Sequence, residues 1–337
     1  MRFVHDDRRD AGVKGYDSGV PRRVLITGIT GFAGSHLAEH AVAHGAEVHG
    51  FAFEAPPYAN LASVAARVQV HRGDLTDTAA VRAAVGAARP DVVVHLAGQA
   101  VPALASKDPT AAVRVNVIGT AAVVETVRGT GAALVFASTA EVYGAPQGPA
   151  REDAPILPPN VYAATKVAAE ALVRELGDRS VILRPVGQIG PRQHPALAAS
   201  AFARQIALAE AGQAEPLIRH GRLDARRDVI DVRDMARAYH FACDLAADGP
   251  GTFNVGSGRT VEVQEIFDTL VAMSRVPLRT ELDPDRVRAG DPAAVDVDST
   301  AFRRRTGWVP TIPLAMSLRD LLDHWRARVR GEALARA

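Results

Sequence analysis

Tyr162 and Lys166 stand four residues apart in the segment Val161-Tyr-Ala-Ala-Thr-Lys166. The Ala-rich spacing from Val161 to Glu175 predicts a helix, and side chains four residues apart project from one helix face. A phenol with an ordinary pKa of about 10 exchanges protons poorly at neutral pH. Because a neighbouring ammonium favours the phenolate, we expect Lys166 to lower the pKa of Tyr162. The pair therefore predicts a centre of acid/base chemistry.

A hydroxyl and a carboxylate precede this pair in Ser138-Thr-Ala-Glu-Val-Tyr-Gly144, which follows the strand-like run Ala133–Ala137. Ligands of parallel sheets bind beyond the carboxyl ends of the strands. Thr139 is therefore placed to polarise a substrate carbonyl. Glu141 is a candidate second acid/base group, although a carboxylate hydrogen-bonded to a neighbouring loop explains it equally well.

The glycine pattern Gly28-Ile-Thr-Gly31-Phe-Ala-Gly34 lies between the first strand-like run and the first helix-like segment. Glycines in this context permit a tight turn and a close approach of the backbone to a pyrophosphate, and the helix N-terminus supplies N–H groups. The strand before the glycines and the helix after them support this interpretation. We predict a dinucleotide site that includes Gly28, Gly31, Phe32, Ala33 and Gly34.

Strand-like and helix-like segments alternate as far as Arg184. This alternation predicts an α/β fold with a Rossmann-like, doubly wound parallel sheet, followed by a smaller mixed α/β lobe. The predicted strands are Arg23–Ile26, Glu47–Phe51, Val68–His71, Val92–Leu96, Ala133–Ala137 and Val181–Arg184. The predicted helices between them are Ala33–His44, Thr78–Ala88, Thr110–Arg128 and Val161–Glu175.

We divide the chain into three parts. Residues 1–21 are expected to be a flexible extension, and residues 22–185 a dinucleotide-binding domain. Residues 186–337 are expected to form mainly the substrate lobe, with 228–250 returning to the first domain. In the second part of the chain, helices are predicted at Ala196–Ala211, Val261–Ser274, Ser299–Thr306 and Pro313–Arg328.

The composition excludes several classes of protein. Of the 337 residues 47% are hydrophobic, and 39 Lys and Arg balance 38 Asp and Glu, so no net field attracts nucleic acid or an anionic membrane. We see neither a secretory signal nor an apolar run of about 18 residues, and we expect a cytoplasmic protein. The single cysteine, Cys243, excludes an intramolecular disulfide. His36, His40 and His44 lack further ligands in the sequence, so we predict a polar helix face and no metal site.

Taken together, these motifs resemble the extended short-chain dehydrogenase/reductases that act on nucleotide sugars, the NAD-dependent epimerase/dehydratase family. The resemblance runs from about Arg22 to Arg328. Within this family, the resemblance is strongest to reductases that act on GDP-4-keto-6-deoxy-mannose. Two segments favour those reductases: Phe202-Ala-Arg-Gln-Ile206 and Ala225-Arg-Arg-Asp228. The other segments that carry the resemblance are Leu25–Leu37, His95–Gln99, Arg114–Thr120, Val161–Lys166 and Asn254–Gly258.

The resemblance implies a cofactor and its contacts. Ala52 occupies the place of the carboxylate that usually binds the ribose 2′-hydroxyl, which favours NADP, although Glu54 could still serve NAD. Tyr162 and Lys166 also contact the cofactor in this family. The remaining implied cofactor contacts are Asp74, Leu75, Leu96 and Ala97.

The resemblance also implies a nucleotide-sugar site and a homodimer. The implied substrate-binding residues are Gln99, Gln188, Arg204, Arg227 and Arg288. Two of these arginines, Arg227 and Arg288, are expected to bind the diphosphate. The dimer would form through a four-helix bundle of Thr110–Arg128 and Val161–Glu175 from each subunit.

Several reactions remain open. Reduction of a C4 keto group needs only a hydride and a proton from Tyr162, and would give a GDP-rhamnose-like product. A 4,6-dehydratase needs further acid/base groups, and Ala140 stands where dehydratases carry a polar residue. A 4-epimerase needs the same groups as the reductase. A non-catalytic dinucleotide-sensing protein is a fourth possibility, but proteins of that kind usually lack the Tyr-Lys pair.

Overall fold

The computed structural model describes residues 22–287 and 294–334, and the predicted extension at 1–21 lies outside the described residues. Its largest sheet has seven strands in the order β10-β6-β5-β4-β1-β2-β3, all paired in parallel. The bounds are β1 Arg23–Thr27, β2 Glu47–Ala52, β3 Val68–Arg72, β4 Val92–His95, β5 Ala133–Ala137, β6 Ser180–Pro185 and β10 Gly251–Val255.

Helices cover both faces of this sheet, which explains why its strands are continuously apolar. On β1, Val24 and Ile26 pack toward one face, and Leu25 packs toward the other. Helices α1 (Phe32–Ala43) and α8 (Val232–Asp248) lie on the first face. The second face is covered by α2 Thr78–Ala88, α5 Gly119–Arg128 and α6 Val161–Arg174. The predicted doubly wound α/β class is confirmed.

A second, smaller lobe follows β6. Its helices α7 (Ala198–Glu210), α9 (Val263–Ala272) and α11 (Leu314–Leu334) enclose a separate core. One of its sheets contains β7 Gly187–Ile189, β9 Arg226–Asp231, β11 Thr260–Glu262 and β13 Ala294–Val295; the other pairs β8 Leu217–His220 with β12 Arg279–Leu282. The chain returns to the large sheet through α8 and β10, and we retain the three-part division of the chain as a proposal.

Two of the predictions differ from the structure here. The predicted helix Val261–Ser274 begins as strand β11, because Val261 pairs with Arg227 of β9, and becomes helical at Val263. The polar face expected for His36, His40 and His44 is wrong for His36, whereas His44 is exposed. His36 is only 5% exposed, and its Nε2 lies 3.0 Å from the Pro191 carbonyl. A short helix, α10 (Thr300–Thr306), agrees with prediction to within one residue.

The helix predicted at Thr110–Arg128 consists of three joined segments. Before it lies α3, Pro102–Lys107. Then α4 (Pro109–Val113) continues into a π-helical turn at Arg114–Ile118 and on into α5. By length and composition Pro109–Arg128 could cross a membrane, but half of its most apolar window is buried in the fold. Its packing against α2 and α6 is that of a core helix.

Candidate active site

A cavity of about 1300 Å³ opens at the carboxyl ends of the central strands. Most of the predicted site residues line it: Gly28, Gly31, Phe32, Ala33, Gly34, Ala52, Asp74, Leu75, Leu96, Ala97, Thr139, Glu141, Tyr162, Lys166, Gln188 and Arg227. The structure does not bring Gln99 or Arg204 into this lining. The Gln99 amide oxygen accepts from the Val101 N–H, and the Arg204 guanidinium lies over the Trp325 ring. Arg288 lies outside the described residues.

The glycine turn can pack this closely against the surrounding backbone only because it lacks side chains. Gly28 has a φ of +69°, and a Cβ there would lie 2.8 Å from the Ala97 Cα. A Cβ on Gly34 would lie 2.2 Å from the Gly28 carbonyl oxygen. The first turn of α1 follows directly, and the N–H groups of a first helical turn are available to an anion. This end of the cavity therefore fits the pyrophosphate of a dinucleotide.

Two acidic side chains of the cavity lining, Glu54 and Asp74, follow strands β2 and β3. Glu54 accepts a hydrogen bond of 2.8 Å from the Thr30 hydroxyl. Asp74 accepts from both the N–H and the hydroxyl of Thr76, at 2.8 Å each, and these bonds lower the pKa of Asp74. Ala52, the last residue of β2, also lines the cavity and offers no carboxylate there.

Tyr162 enters the cavity from the first turn of α6. Asn160 fixes the start of this helix, since its side-chain oxygen accepts from the Ala163 N–H at 2.9 Å. The phenol is 8% exposed and forms a hydrogen bond with Thr139. Thr139 in turn accepts from the Glu141 N–H at 3.2 Å. The two hydroxyl groups predicted to act on a carbonyl therefore lie together.

The pKa of Tyr162 is raised, first by burial and then by the charge of Glu141, while the Thr139 hydrogen bond opposes the rise. The expectation that Lys166 lowers the pKa of Tyr162 is wrong, because Lys166 is not among the groups that shift this pKa. The Lys166 ammonium donates to the Ala137 carbonyl at 2.8 Å and lies 4.9 Å from the Phe136 ring centroid. Burial lowers the pKa of Lys166 to about 8. Tyr162 is therefore a neutral phenol that carries its proton at neutral pH.

Glu141 lies in the lining close to Tyr162, and one of its oxygens accepts from the Asn160 amide at 3.0 Å. This contact agrees with the interpretation of Glu141 as a carboxylate bonded to the neighbouring loop. The same contact places its charge where it acts on the phenol. Glu141 is therefore held by Asn160 while its charge acts on the phenol of Tyr162.

A buried ion pair that the sequence analysis missed supports the Ser138–Thr139 segment. Arg184 donates to both oxygens of Glu170, at 2.9 and 2.8 Å, and both side chains are almost fully buried. Ser138 donates to the same carboxylate at 2.5 Å. Such a pair fixes geometry more than it adds stability, because desolvation offsets its attraction. It links β6, α6 and the end of β5, the three elements around Tyr162.

Asn116 is a second missed residue, on the π-helical turn. Its side chain accepts from the Gln99 N–H at 2.7 Å and donates to the Thr165 hydroxyl at 2.9 Å. Thr165 donates to the Tyr162 carbonyl at 2.7 Å. The side chain of Asn116 thus joins the loop after β4 to the helix of the catalytic pair. Asn116 belongs to the segment Arg114–Thr120 that carries the family resemblance, but the sequence shows neither the π-helical turn nor the contacts of this side chain.

The substrate end of the cavity lies between the two lobes. Gln188 reaches it from β7, and its amide forms a hydrogen bond with Tyr239 of α8 while its Oε1 has no partner. Three arginines line the same region, of which the sequence analysis identified only Arg227. The other two are Arg222 and Arg286. Among the described residues, no group of three or more His, Cys, Asp or Glu side chains is arranged to hold a metal ion.

Comparison with known proteins places this site in a family. Residues 24–256 match the model of the "NAD dependent epimerase/dehydratase family". The chain is 31% identical to a GDP-6-deoxy-D-mannose reductase of Pseudomonas aeruginosa, over 92% of this chain and 99% of the relative. It is 30% identical to a UDP-glucose 4-epimerase of Halalkalibacterium halodurans, over 89% and 93%. The chain belongs to the NAD-dependent epimerase/dehydratase family.

A solved structure agrees in fold. The structure of RMD from Pseudomonas aeruginosa complexed with NADPH superposes with a TM-score of 0.76 at 28% identity, covering 91% of this chain and 99% of that one. Family membership confirms the predicted class of enzyme, an oxidoreductase-type enzyme of nucleotide sugars that uses NAD(P). The similarity extends to both reductases and epimerases, so the reaction is argued from the site itself.

Proposed function

We propose that this protein is an NADPH-dependent reductase of the C4 keto group in a nucleotide-linked 4-keto-6-deoxy sugar. The substrate is of the GDP-4-keto-6-deoxy-mannose type, and the product is GDP-rhamnose-like. The observation that carries the proposal is the neutral Tyr162 phenol bonded to Thr139 in a cavity whose other end fits a dinucleotide. The similarity to a GDP-6-deoxy-D-mannose reductase supports it.

Thr139 accepts from the Glu141 N–H, so the Thr139 hydroxyl proton is available for a bond to the phenol oxygen of Tyr162. The Thr139 contact opposes the rise in the pKa of Tyr162. In the proposed reaction, Tyr162 donates its own proton to the C4 oxygen. The Thr139 bond then stabilises the phenolate that remains.

The bound NADPH supplies the hydride that reduces C4. Lys166 uses one of its donors on the Ala137 carbonyl, and we assign its remaining donors to the nicotinamide ribose. We assign the glycine turn, with Phe32 and Ala33, to the pyrophosphate. Burial of the tyrosine and lysine excludes water from the reacting groups.

Dehydration is disfavoured by the surroundings of Thr139. Removal of water from a sugar needs an acid and a base besides the tyrosine. Ala140 is 1% exposed and offers no polar group, which leaves Glu141 as the single carboxylate beside the phenol. A 4-epimerase is the second candidate, because the chain is 30% identical to a UDP-glucose 4-epimerase and the groups it needs are the same.

We propose that Arg227 binds the diphosphate of the sugar nucleotide, together with Arg288, which the sequence analysis identified for the same role. Guanidinium groups bind phosphate oxygens through paired N–H donors. Arg227 lies in the cavity lining on the side of the small lobe. Its neighbours in the lining, Arg222 and Arg286, are ion-paired with Asp224 and Asp283.

We further propose a cytoplasmic homodimer formed through the helices at Pro109–Arg128 and Val161–Arg174. Val113 and Ile118 are 44% and 50% exposed on the first of these helices. Covering such apolar side chains would favour association. Sedimentation velocity tests this assembly, and substitution of both residues by lysine should yield monomers.

A spectrophotometric assay tests the proposed reaction. NADPH absorbance should fall when GDP-4-keto-6-deoxy-mannose is added, and should stay constant with UDP-glucose or UDP-galactose. Interconversion of UDP-glucose and UDP-galactose without loss of NADPH would instead identify a 4-epimerase. Nucleotide binding without turnover of any 4-keto sugar would favour a sensing protein.

A further inference from the structure

Arg72 lies at the carboxyl end of the edge strand β3, opposite Ala52. The two residues are register partners in the parallel pair β2–β3. Partners in register point to the same face of a sheet. Ala52 lines the dinucleotide end of the cavity, so the base of the Arg72 side chain stands beside that end.

Arg72 is bonded to a residue of the cavity lining, although it is not itself part of that lining. Its Nε donates to the carbonyl of Phe53 at 3.4 Å, and Phe53 is itself a lining residue. This weak bond leaves both Nη groups of the guanidinium available. Within residues 22–287 and 294–334, no carboxylate forms an ion pair with Arg72, whose side chain is exposed. A cation held in this way can still bind an anion.

The acidic neighbours are each held by other groups. Glu54 accepts from the Thr30 hydroxyl, and Asp74 accepts from Thr76. A second cation, Arg114, lies near Asp74 and contributes to lowering its pKa. Arg114 acts on the Asp74 carboxylate, whereas Arg72 lies beside Ala52 and forms no ion pair with a carboxylate of the described residues.

We infer that Arg72 binds the 2′-phosphate of NADPH and is the residue that sets the preference for NADPH over NADH. A guanidinium with two free nitrogen atoms matches two phosphate oxygens. Ala52 contributes by leaving no carboxylate in the way. This inference rests on the proposed use of NADPH and adds the residue responsible for it. The sequence alone does not show this neighbour, because Ala52 and Arg72 come together only through strand pairing.

Binding measurements without turnover test the role of Arg72. We would titrate the full-length protein calorimetrically with NADPH and NADH. Adenosine 2′,5′-bisphosphate and adenosine 5′-monophosphate would serve as smaller probes of the same phosphate. A hydrogen bond to a charged group corresponds to about ten- to a hundredfold in affinity. Arg72→Ala should weaken NADPH and the bisphosphate by that factor and leave NADH and the monophosphate unchanged.

Two further variants separate charge from position. Arg72→Gln keeps a donor for the Phe53 carbonyl and removes the charge, so it should lose NADPH affinity as Arg72→Ala does. Arg82→Ala removes an exposed arginine that pairs with Glu125 on the helices and should change neither affinity. Because Arg72 is exposed, we expect all three variants to fold, and their melting temperatures check this.

Several results would overturn the inference. It fails if wild type prefers NADH, if Arg72→Ala weakens both cofactors equally, or if it weakens neither. It also fails if Arg114→Ala, rather than Arg72→Ala, selectively loses NADPH. A wild-type protein that binds neither dinucleotide would refute the proposed function itself, which is a distinguishable outcome.

Discussion

The imidazole Nδ1 of His95 lies 2.7 Å from the hydroxyl oxygen of Thr27, with both side chains buried between β4 and β1. On its other side, Nε2 of His95 lies 3.0 Å from the Thr120 hydroxyl, which donates to the Asn116 carbonyl at 2.6 Å. Thr120 therefore accepts from Nε2–H, and Thr27 donates to Nδ1. A neutral imidazole completes this chain of bonds.

The buried histidines predict a loss of stability in acid. Burial lowers the pKa of His95 to about 3, that of His40 to about 3 and that of His36 to about 4, all below the ordinary value of 6.5. Unfolded histidines take up protons as the pH falls below 6.5, while the folded ones do not. Their stabilisation is therefore complete above pH 6.5 and declines as the pH falls toward these lowered values. Each contributes a slope of about 1.4 kcal/mol per pH unit.

Urea unfolding between pH 7 and pH 5 measures this slope. His95→Gln can retain hydrogen bonds to Thr27 and Thr120 but does not titrate. Its free energy of unfolding should therefore change less per pH unit than that of wild type, and the difference should equal the contribution of one histidine. Equal slopes for wild type and His95→Gln would contradict a neutral, buried His95.

Removal of the phenol hydroxyl should abolish most of the chemistry and little of the binding. Loss of a general acid costs about 10² to 10⁴ in rate, so we expect Tyr162→Phe to lower kcat by that factor. Its cofactor affinity should stay near that of wild type. Stopped-flow reduction and NADPH titration measure the two quantities. A Phe variant with near-normal kcat would refute the assignment of Tyr162 as the proton donor.

A carboxylate at position 52 should reverse the cofactor preference. Ala52→Asp places a negative charge at the end of β2, where it would bond a ribose 2′-hydroxyl and repel a 2′-phosphate. We expect kcat/KM to move from NADPH toward NADH. Ala52→Asn, of the same size without the charge, is the control and should change the preference less. A wild-type enzyme that already favours NADH would show that our interpretation of this strand end is wrong.

Substitution of Arg227 should affect the sugar nucleotide and not the dinucleotide. Loss of one charge-assisted contact to the diphosphate corresponds to about ten- to a hundredfold in affinity. Arg227→Ala should therefore weaken binding of GDP by that factor, with NADPH affinity unchanged. Arg226→Ala is a matched control, because Arg226 pairs with Glu262 outside the cavity. If both variants bind GDP as wild type does, Arg227 does not contact the diphosphate.

The strands β1, β4, β5 and β6 of the large sheet were predictable from sequence because each is a largely apolar run next to helix-like segments. Predicted and observed bounds differ by at most one residue at each end from β1 to β6. The short strands β7, β8 and β12 were not predicted, since three or four residues carry too little pattern to show pairing with a distant strand.

The candidate site was predictable where motif residues follow strands, and not where pairing creates neighbours. Thr139 and Tyr162 were found because one follows β5 and the other begins α6. Arg72 becomes a neighbour of Ala52 through strand register. Asn116 reaches Gln99 because of a π-helical turn. The pKa of Tyr162 had the wrong predicted sign, since spacing along a helix does not reveal burial or the position of Glu141.

Transfer of deuterium from [4,4-²H₂]NADPH tests the central proposal most directly. The account predicts that GDP-4-keto-6-deoxy-mannose gains one deuterium at C4 for each NADPH consumed, as read by mass spectrometry and NMR of the product. Tyr162→Phe should slow this transfer without changing its position. A product without deuterium, or a sugar interconverted with no net loss of NADPH, would contradict the proposed reduction.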